Sequence, residues 1–258
     1  MLRTRSSAKC RQQEPGVSGS NHFDSIAEVF NKVWHFSDEY KDFVISHIHT
    51  DLDLQPSDIL ADIGGGTGTF TGRLAREAKL SRAYCVEPSP AMCSEASKIA
   101  DIVPICADAH RFSTMEHPYS KLLLKEVIHH IDKRERFWER TFQRLPDGGK
   151  LLIITRPRKI DFPFFETLKA AFSANQPDHT LFESELRSAC FQVCTQERTH
   201  TFTLPKENWF EMLRHRFMSD IAPFSDEQIE EGIAEIDRRY PGNTIEIADR
   251  LIFITATK

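Results

Sequence analysis

The chain has 258 residues, 40% of them hydrophobic and 28% charged, with a net charge of −5 and a sequence pI near 6.1. That length allows one large domain or two small ones, and the composition suits a globular protein with a real core. No stretch approaches the ~18 apolar residues of a membrane span, and the acidic balance weighs against a nucleic-acid backbone as partner.

Residues 1–20 stand apart, being rich in Ser, Gly and Arg, with Glu14 as their only acid and no apolar run. This excludes a secretory signal and predicts a disordered tail. A mitochondrial transit peptide, also Arg- and Ser-rich and poor in acids, is the alternative reading. The six cysteines form no CxxC pair and no cluster of zinc spacing, so no metal site is expected. Cys85 and Cys106 fall in apolar runs, where cysteine acts as a small core residue; a reducing, cytoplasmic setting is the default.

Phe23, Ile26, Ala27, Phe30, Val33 and Trp34 recur at helical spacing, and Phe43, Val44 and Ile48 resume it after a break at Ser37-Asp38. Two N-terminal helices are predicted. Beyond Pro56, strand and helix alternate. Strands are predicted at 59–64, 83–88, 102–108, 121–127 and 150–156, with helices at 70–79, 90–100 and 134–144. Short apolar strands separated by helices indicate a parallel sheet covered on both faces, doubly wound, with ligands at the carboxyl ends of the strands. A long strand over 191–204, helices over 206–218 and 225–239, and a closing strand over 250–258 follow. The segment between 157 and 190 is read as irregular.

The sharpest signal is Asp62-Ile63-Gly64-Gly65-Gly66-Thr67-Gly68, after one predicted strand and before a helix. Glycines let the backbone turn tightly and let a ligand approach. The dinucleotide fingerprint G-x-G-x-x-G does not fit, because Thr69 or Thr71 stands where its third glycine belongs. What fits is D-x-G-x-G-x-G, and here the sequence resembles the class I S-adenosylmethionine-dependent methyltransferases. Two further marks of that family follow in order. Glu87 ends the second strand, where the family's acid accepts both ribose hydroxyls. Asp108, with Ala109 beside it, follows the third strand, where the family contacts the adenine amine. By the same resemblance Asp62, Gly64, Gly66 and Gly68 cradle the cofactor, Asp62 facing its methionine end. The residue-level alternatives are plain: Glu87 as a helix cap, Asp108 as a turn residue.

The resemblance implies an α/β fold with a doubly wound, mostly parallel seven-stranded sheet and helical lid elements. It divides the chain into a tail (1–20) and one domain (21–258). That domain comprises N-terminal helices (21–55), a cofactor-binding core (56–156) and a substrate-side segment with lid helices and closing strands (157–258). After the fourth strand, Glu126 is a candidate cofactor or acceptor contact. His130, in register with a histidine that acts on the substrate in phosphoethanolamine methyltransferases, is the candidate base. His129 is expected to face elsewhere; a structural histidine is the ordinary alternative for both.

The Asn/Asp-Pro-Pro-aromatic motif of the family's nucleic-acid amino-methylating members is absent from LKEVIHH. A small-molecule acceptor is therefore expected, with no nucleic acid and no membrane. Trp209, Phe210, Met212, Leu213, Phe217 and Met218 make a stripe that is either helix core or an acceptor wall. Arg214 and Arg216, and the run Arg156-Pro157-Arg158-Lys159, are candidate anion contacts or solvated bases. Tyr40 is a candidate partner for His130. A nicotinamide-dependent oxidoreductase and a non-catalytic S-adenosylmethionine-binding protein are the rival functional readings.

Overall fold

A computed structural model describes residues 37–258. The predicted helix over 23–36 and the tail lie outside the described residues. The first described helix, α1 (Asp38–Leu52), starts on Ser37, whose hydroxyl accepts from the Tyr40 N–H at 3.0 Å. Alternation then runs as expected: β1 (Ile59–Ile63), α2 (Thr69–Glu77), β2 (Arg82–Glu87), α3 (Pro90–Ala96), β3 (Val103–Cys106), α4 (Ala109–Phe112), β4 (Lys121–Lys125), α5 (Arg134–Arg144) and β5 (Lys150–Thr155). Proline at the first turn and Ser89 as cap fix the start of α3, which ends four residues earlier than its sequence pattern suggests.

The stretch read as irregular holds two helices, α6 (Glu166–Asn175) and α7 (His179–Ser188). Then come β6 (Gln192–Pro205), α8 (Lys206–Arg214), α9 (Asp226–Arg239) and β7 (Thr244–Thr257). The closing strand begins six residues before its expected start. Its first part pairs along the outer portion of β6, where polar residues alternate with buried Ile245 and Ile247.

The seven strands lie in the order β3-β2-β1-β4-β5-β7-β6. β1 to β5 pair in parallel; β7 runs antiparallel to both β5 and β6. The chain reverses its direction of winding between β1 and β4, so their carboxyl ends flank the crevice in which open α/β sheets bind ligands. Side-chain alternation divides the core. Leu123, Leu152, Ile154 and Phe253 pack with α1, α2, α6, α8 and α9 on one face, while Leu122, Leu124, Ile153 and Ile254 pack with α4, α5 and α7 on the other.

Ion pairs pin the covering helices. Arg73 of α2 holds Asp42 of α1, Arg198 of β6 holds Asp51 at the end of α1, and Glu185 of α7 accepts from Arg134 and Trp138 of α5. The stripe on and after α8 is core: Trp209, Leu213 and Phe217 have no exposed surface, and the Trp209 indole N–H donates to the Pro163 carbonyl at 3.1 Å. No described helix is long and apolar enough to cross a membrane.

Candidate cofactor and acceptor site

The loop after β1 turns because its glycines can. Gly64 sits at φ +71°, and a β-carbon there would come within 2.5 Å of the Val127 side chain. Gly66, at φ +57°, faces open space with nothing within 4 Å of where its β-carbon would stand. The Gly64 N–H extends β1 by donating to the Val86 carbonyl at 2.7 Å. The Gly64 N–H thus ties the loop to β2, and open space lies where a Gly66 β-carbon would stand.

Glu87 braces this loop. One carboxylate oxygen accepts from the Gly66 N–H at 3.1 Å and the other from the Ser89 N–H at 3.0 Å. Ser89, not Glu87, caps α3. An ionised carboxylate only accepts hydrogen bonds, which suits it to hydroxyl donors. Asp62 is buried under the loop and accepts from the Thr71 hydroxyl at 2.5 Å. Burial pushes its carboxyl up to about 7, against the pull of Thr71 and the Lys125 ammonium. Asp108 is exposed and caps α4, accepting from the Arg111 N–H at 2.7 Å, while Ala109 is buried beside it.

Across the crevice, β4 ends in a strained turn. Lys125 is half-buried with its ammonium 4.4 Å from the Phe70 ring centroid, and desolvation brings it down to about 8. Glu126 takes a left-handed backbone, φ +57°, and pairs with Arg156. A short 3-10 turn, Ile128–His130, carries both histidines with ring centroids 4.1 Å apart. His129 is the enclosed one. Burial and the neighbouring His130 bring its pKa down to about 3, and its Nδ1 is buried without a hydrogen-bond partner among the described residues. His130 stands at the rim, its pKa lowered by burial and raised by the Asp220 carboxylate, which lies in the 3-10 turn Ser219–Ile221.

Three sequence expectations are corrected. The Tyr40 hydroxyl, a candidate partner for His130, donates instead to Asp249 of β7 at 2.7 Å. Arg214 is spent on Glu207, Glu211 and Glu230, and Arg216 on Asp226 and the Phe224 carbonyl, so neither is an open anion contact. The basic run after β5 splits: Arg156 is buried inside the protein, and Arg158 reaches the Ser173 carbonyl at the surface. Asp249 went unnoticed in the sequence, although one acid in IADRLIFIT was a signal that a buried cation must face it. A cavity of about 530 Å³ lies by α8 and α9, lined by Lys206, Glu207, Arg214, Glu230 and Asp237. These charges neutralise one another at the β6–β7 edge, remote from the glycine loop.

Residues 61–153 match the model of a methyltransferase domain. No curated protein matches the chain. Among solved structures, a methyltransferase assigned to an antibiotic biosynthesis pathway of Anabaena variabilis superposes with TM-score 0.62 at 19% identity, covering 83% of this chain and 96% of the other. The [4+2]-cyclase SpnF superposes with TM-score 0.63 at 13% identity, covering 93% and 94%. Phosphoethanolamine N-methyltransferase 2 of Haemonchus contortus, solved with phosphomonomethylethanolamine and S-adenosylhomocysteine, gives 0.57 at 18% identity. That match covers 95% of this chain and 61% of the relative. At such identities the likeness is one of fold.

Proposed function

The chain carries a class I S-adenosylmethionine-dependent methyltransferase domain, and from that premise we propose that it methylates a small-molecule acceptor by direct displacement. The observation that carries this reading is the open space at Gly66, whose N–H meets the Glu87 carboxylate, in a glycine loop that packs against Val127 of the β4 exit. The domain match sets aside the nicotinamide reading, as does the glycine spacing.

The residues present fit the cofactor. Gly64, Gly66 and Gly68 give it a backbone floor, Glu87 turns a carboxylate to the ribose, and Asp108 with Ala109 borders the adenine. Asp62 and Glu126 supply negative charge toward its methionine end. When bound, S-adenosylmethionine supplies a methyl group already activated by its sulfonium, so the protein's task is placement and exclusion of water. His130 is the base for an acceptor that arrives protonated. Its lowered pKa keeps it neutral near pH 7, in the form able to take a proton. The acceptor is not nucleic acid: the chain is acidic, and the β4 exit lacks the proline-rich motif of base methylation.

The likeness to a cyclase shows that this fold also hosts another reaction, so the product decides. Incubation with S-adenosylmethionine and a metabolite extract, with a chelator present, should yield S-adenosylhomocysteine and a methylated small molecule in equal amounts. S-adenosylhomocysteine without a methylated product would contradict direct displacement.

A further inference from the structure

Two thiols meet at the corner that carries Glu87. Cys106 is the last residue of β3 and stands opposite Glu87 in the parallel β2–β3 register. Cys93 lies on α3, the helix that begins at Pro90. The Cys93 thiol donates to the Glu87 carbonyl at 3.1 Å, and the Cys106 thiol to the next carbonyl along, that of Pro88, at 4.0 Å. Adjacent carbonyls thus gather both sulfurs on one turn, where the two thiols are in hydrogen-bonding contact with each other. Both are free thiols.

They differ in exposure. Cys93 is half-buried, whereas Cys106, expected from its apolar run to be a core residue, is exposed. Its strand is the edge of the sheet and leaves one side open. Burial, reinforced by the Cys106 thiol beside it, pushes the Cys93 thiol up to about 12. Cys93 is therefore held protonated as a donor, while Cys106 meets solvent. The other described cysteines are placed differently. Cys85 is buried beneath the glycine loop, facing the Gly66 carbonyl at 3.7 Å, and Cys190 and Cys194 lie toward the opposite edge of the sheet.

We propose that Cys93 and Cys106 form a reversible disulfide that loosens the Glu87 corner, so that the cofactor site responds to low-molecular-weight disulfides such as glutathione disulfide. The Cys106 thiolate attacks one sulfur of the oxidant; a Cys106–glutathione bond forms, and one glutathione leaves and takes up a proton. Cys93 then gives up its proton and displaces the second glutathione, closing the bridge. The two protein thiols are oxidised by two electrons, and one glutathione disulfide is reduced to two thiols. Closure withdraws the Cys93 S–H from the Glu87 carbonyl and ties α3 to β3. The Glu87 carboxylate, which accepts from the N–H groups of Gly66 and Ser89, sits on the same turn. The effect on ligand affinity rests on the cofactor reading above; the bridge itself does not.

The test treats the full chain with glutathione disulfide or with dithiothreitol. Each sample is alkylated and mapped by mass spectrometry, and a parallel sample is titrated with S-adenosylhomocysteine by calorimetry. The expected result is a Cys93–Cys106 bridge in the oxidised protein, with S-adenosylhomocysteine bound about tenfold or more weaker and restored by dithiothreitol. Cys93→Ser should stop at a mixed disulfide of Cys106 with glutathione. Cys106→Ser should bind like reduced wild type and ignore the oxidant. Cys93 and Cys106 left unbridged, or a bridge made from Cys85 instead, overturns the proposal. A Cys93–Cys106 bridge with unchanged affinity overturns its control of the cofactor site. Reduced wild type that binds no S-adenosylhomocysteine would instead defeat the cofactor reading, and the mapping would still decide the bridge.

Discussion

Glu87 offers the most searching test of the cofactor site, because its carboxylate has two tasks that can be separated. It braces the fold through the N–H groups of Gly66 and Ser89, and it is proposed to receive the ribose hydroxyls. Hydrogen bonds to a charged group contribute ~1.5–3 kcal/mol each and are not additive. Glu87→Ala should therefore lower stability by ~2–4 kcal/mol, since it leaves the N–H of fully buried Ser89 without its acceptor. Loss of two ribose contacts of similar size should weaken S-adenosylhomocysteine ~30-fold or more, at ~1.4 kcal/mol per decade. Affinity alone would not tell the tasks apart. Calorimetry with S-adenosylhomocysteine and its 2′-deoxy analogue does. Wild type should prefer the hydroxylated ligand by about tenfold, ~1.4 kcal/mol, and Glu87→Ala should abolish the preference. A folded variant that keeps the preference would show that the ribose lies elsewhere and that Glu87 only braces the loop.

Gly64→Ala combines a left-handed backbone with a 2.5 Å approach to Val127; a loss of ~1–3 kcal/mol in denaturant unfolding, with cofactor binding impaired, is expected. Asp62 carries a sign that can be checked. Its folded pKa, about 7, lies above its ordinary 3.8, so between these values the folded chain keeps a proton that the unfolded chain has released. Stability should fall as pH rises through that window, by at most ~4 kcal/mol, and Asp62→Asn should flatten the curve. Affinity for S-adenosylhomocysteine should rise from pH 6 to 8 as Asp62 ionises to face the ligand's ammonium, and the Asn variant should lose that rise. Trp209→Ala should lower stability by ~3–5 kcal/mol, read from urea unfolding, while S-adenosylhomocysteine affinity stays within about twofold; a large affinity loss would return α8 to the acceptor wall.

The strands from 59 to 155 were legible because wholly apolar runs and an interrupting glycine loop are local signals. β1, with four of five residues buried, announces itself. α6 and α7 were not, because each buries few side chains: Leu168 and Phe172 in one, Phe182 and Leu186 in the other. Such sparse stripes lie among polar residues without a strong period. The first part of β7 is exposed on alternate residues and takes its strand form from pairing with β6. At the site, Asp62, Glu87 and Glu126 could be named through the family resemblance, each at or just after a strand end. Their partners could not. The Tyr40–Asp249 bond spans 209 residues and the Arg156–Asp249 pair 93, distances over which no periodicity reports.

Transfer from a trideuteromethyl-labelled donor tests the central claim most directly. Cell extract incubated with the protein and labelled S-adenosylmethionine is separated into small-molecule, protein and nucleic-acid fractions, and each is analysed by mass spectrometry. The account predicts a small molecule carrying one intact trideuteromethyl group, formed by wild type and lost in Glu87→Ala. Label in the nucleic-acid or protein fraction alone, or none in any fraction while S-adenosylhomocysteine still binds, would contradict it.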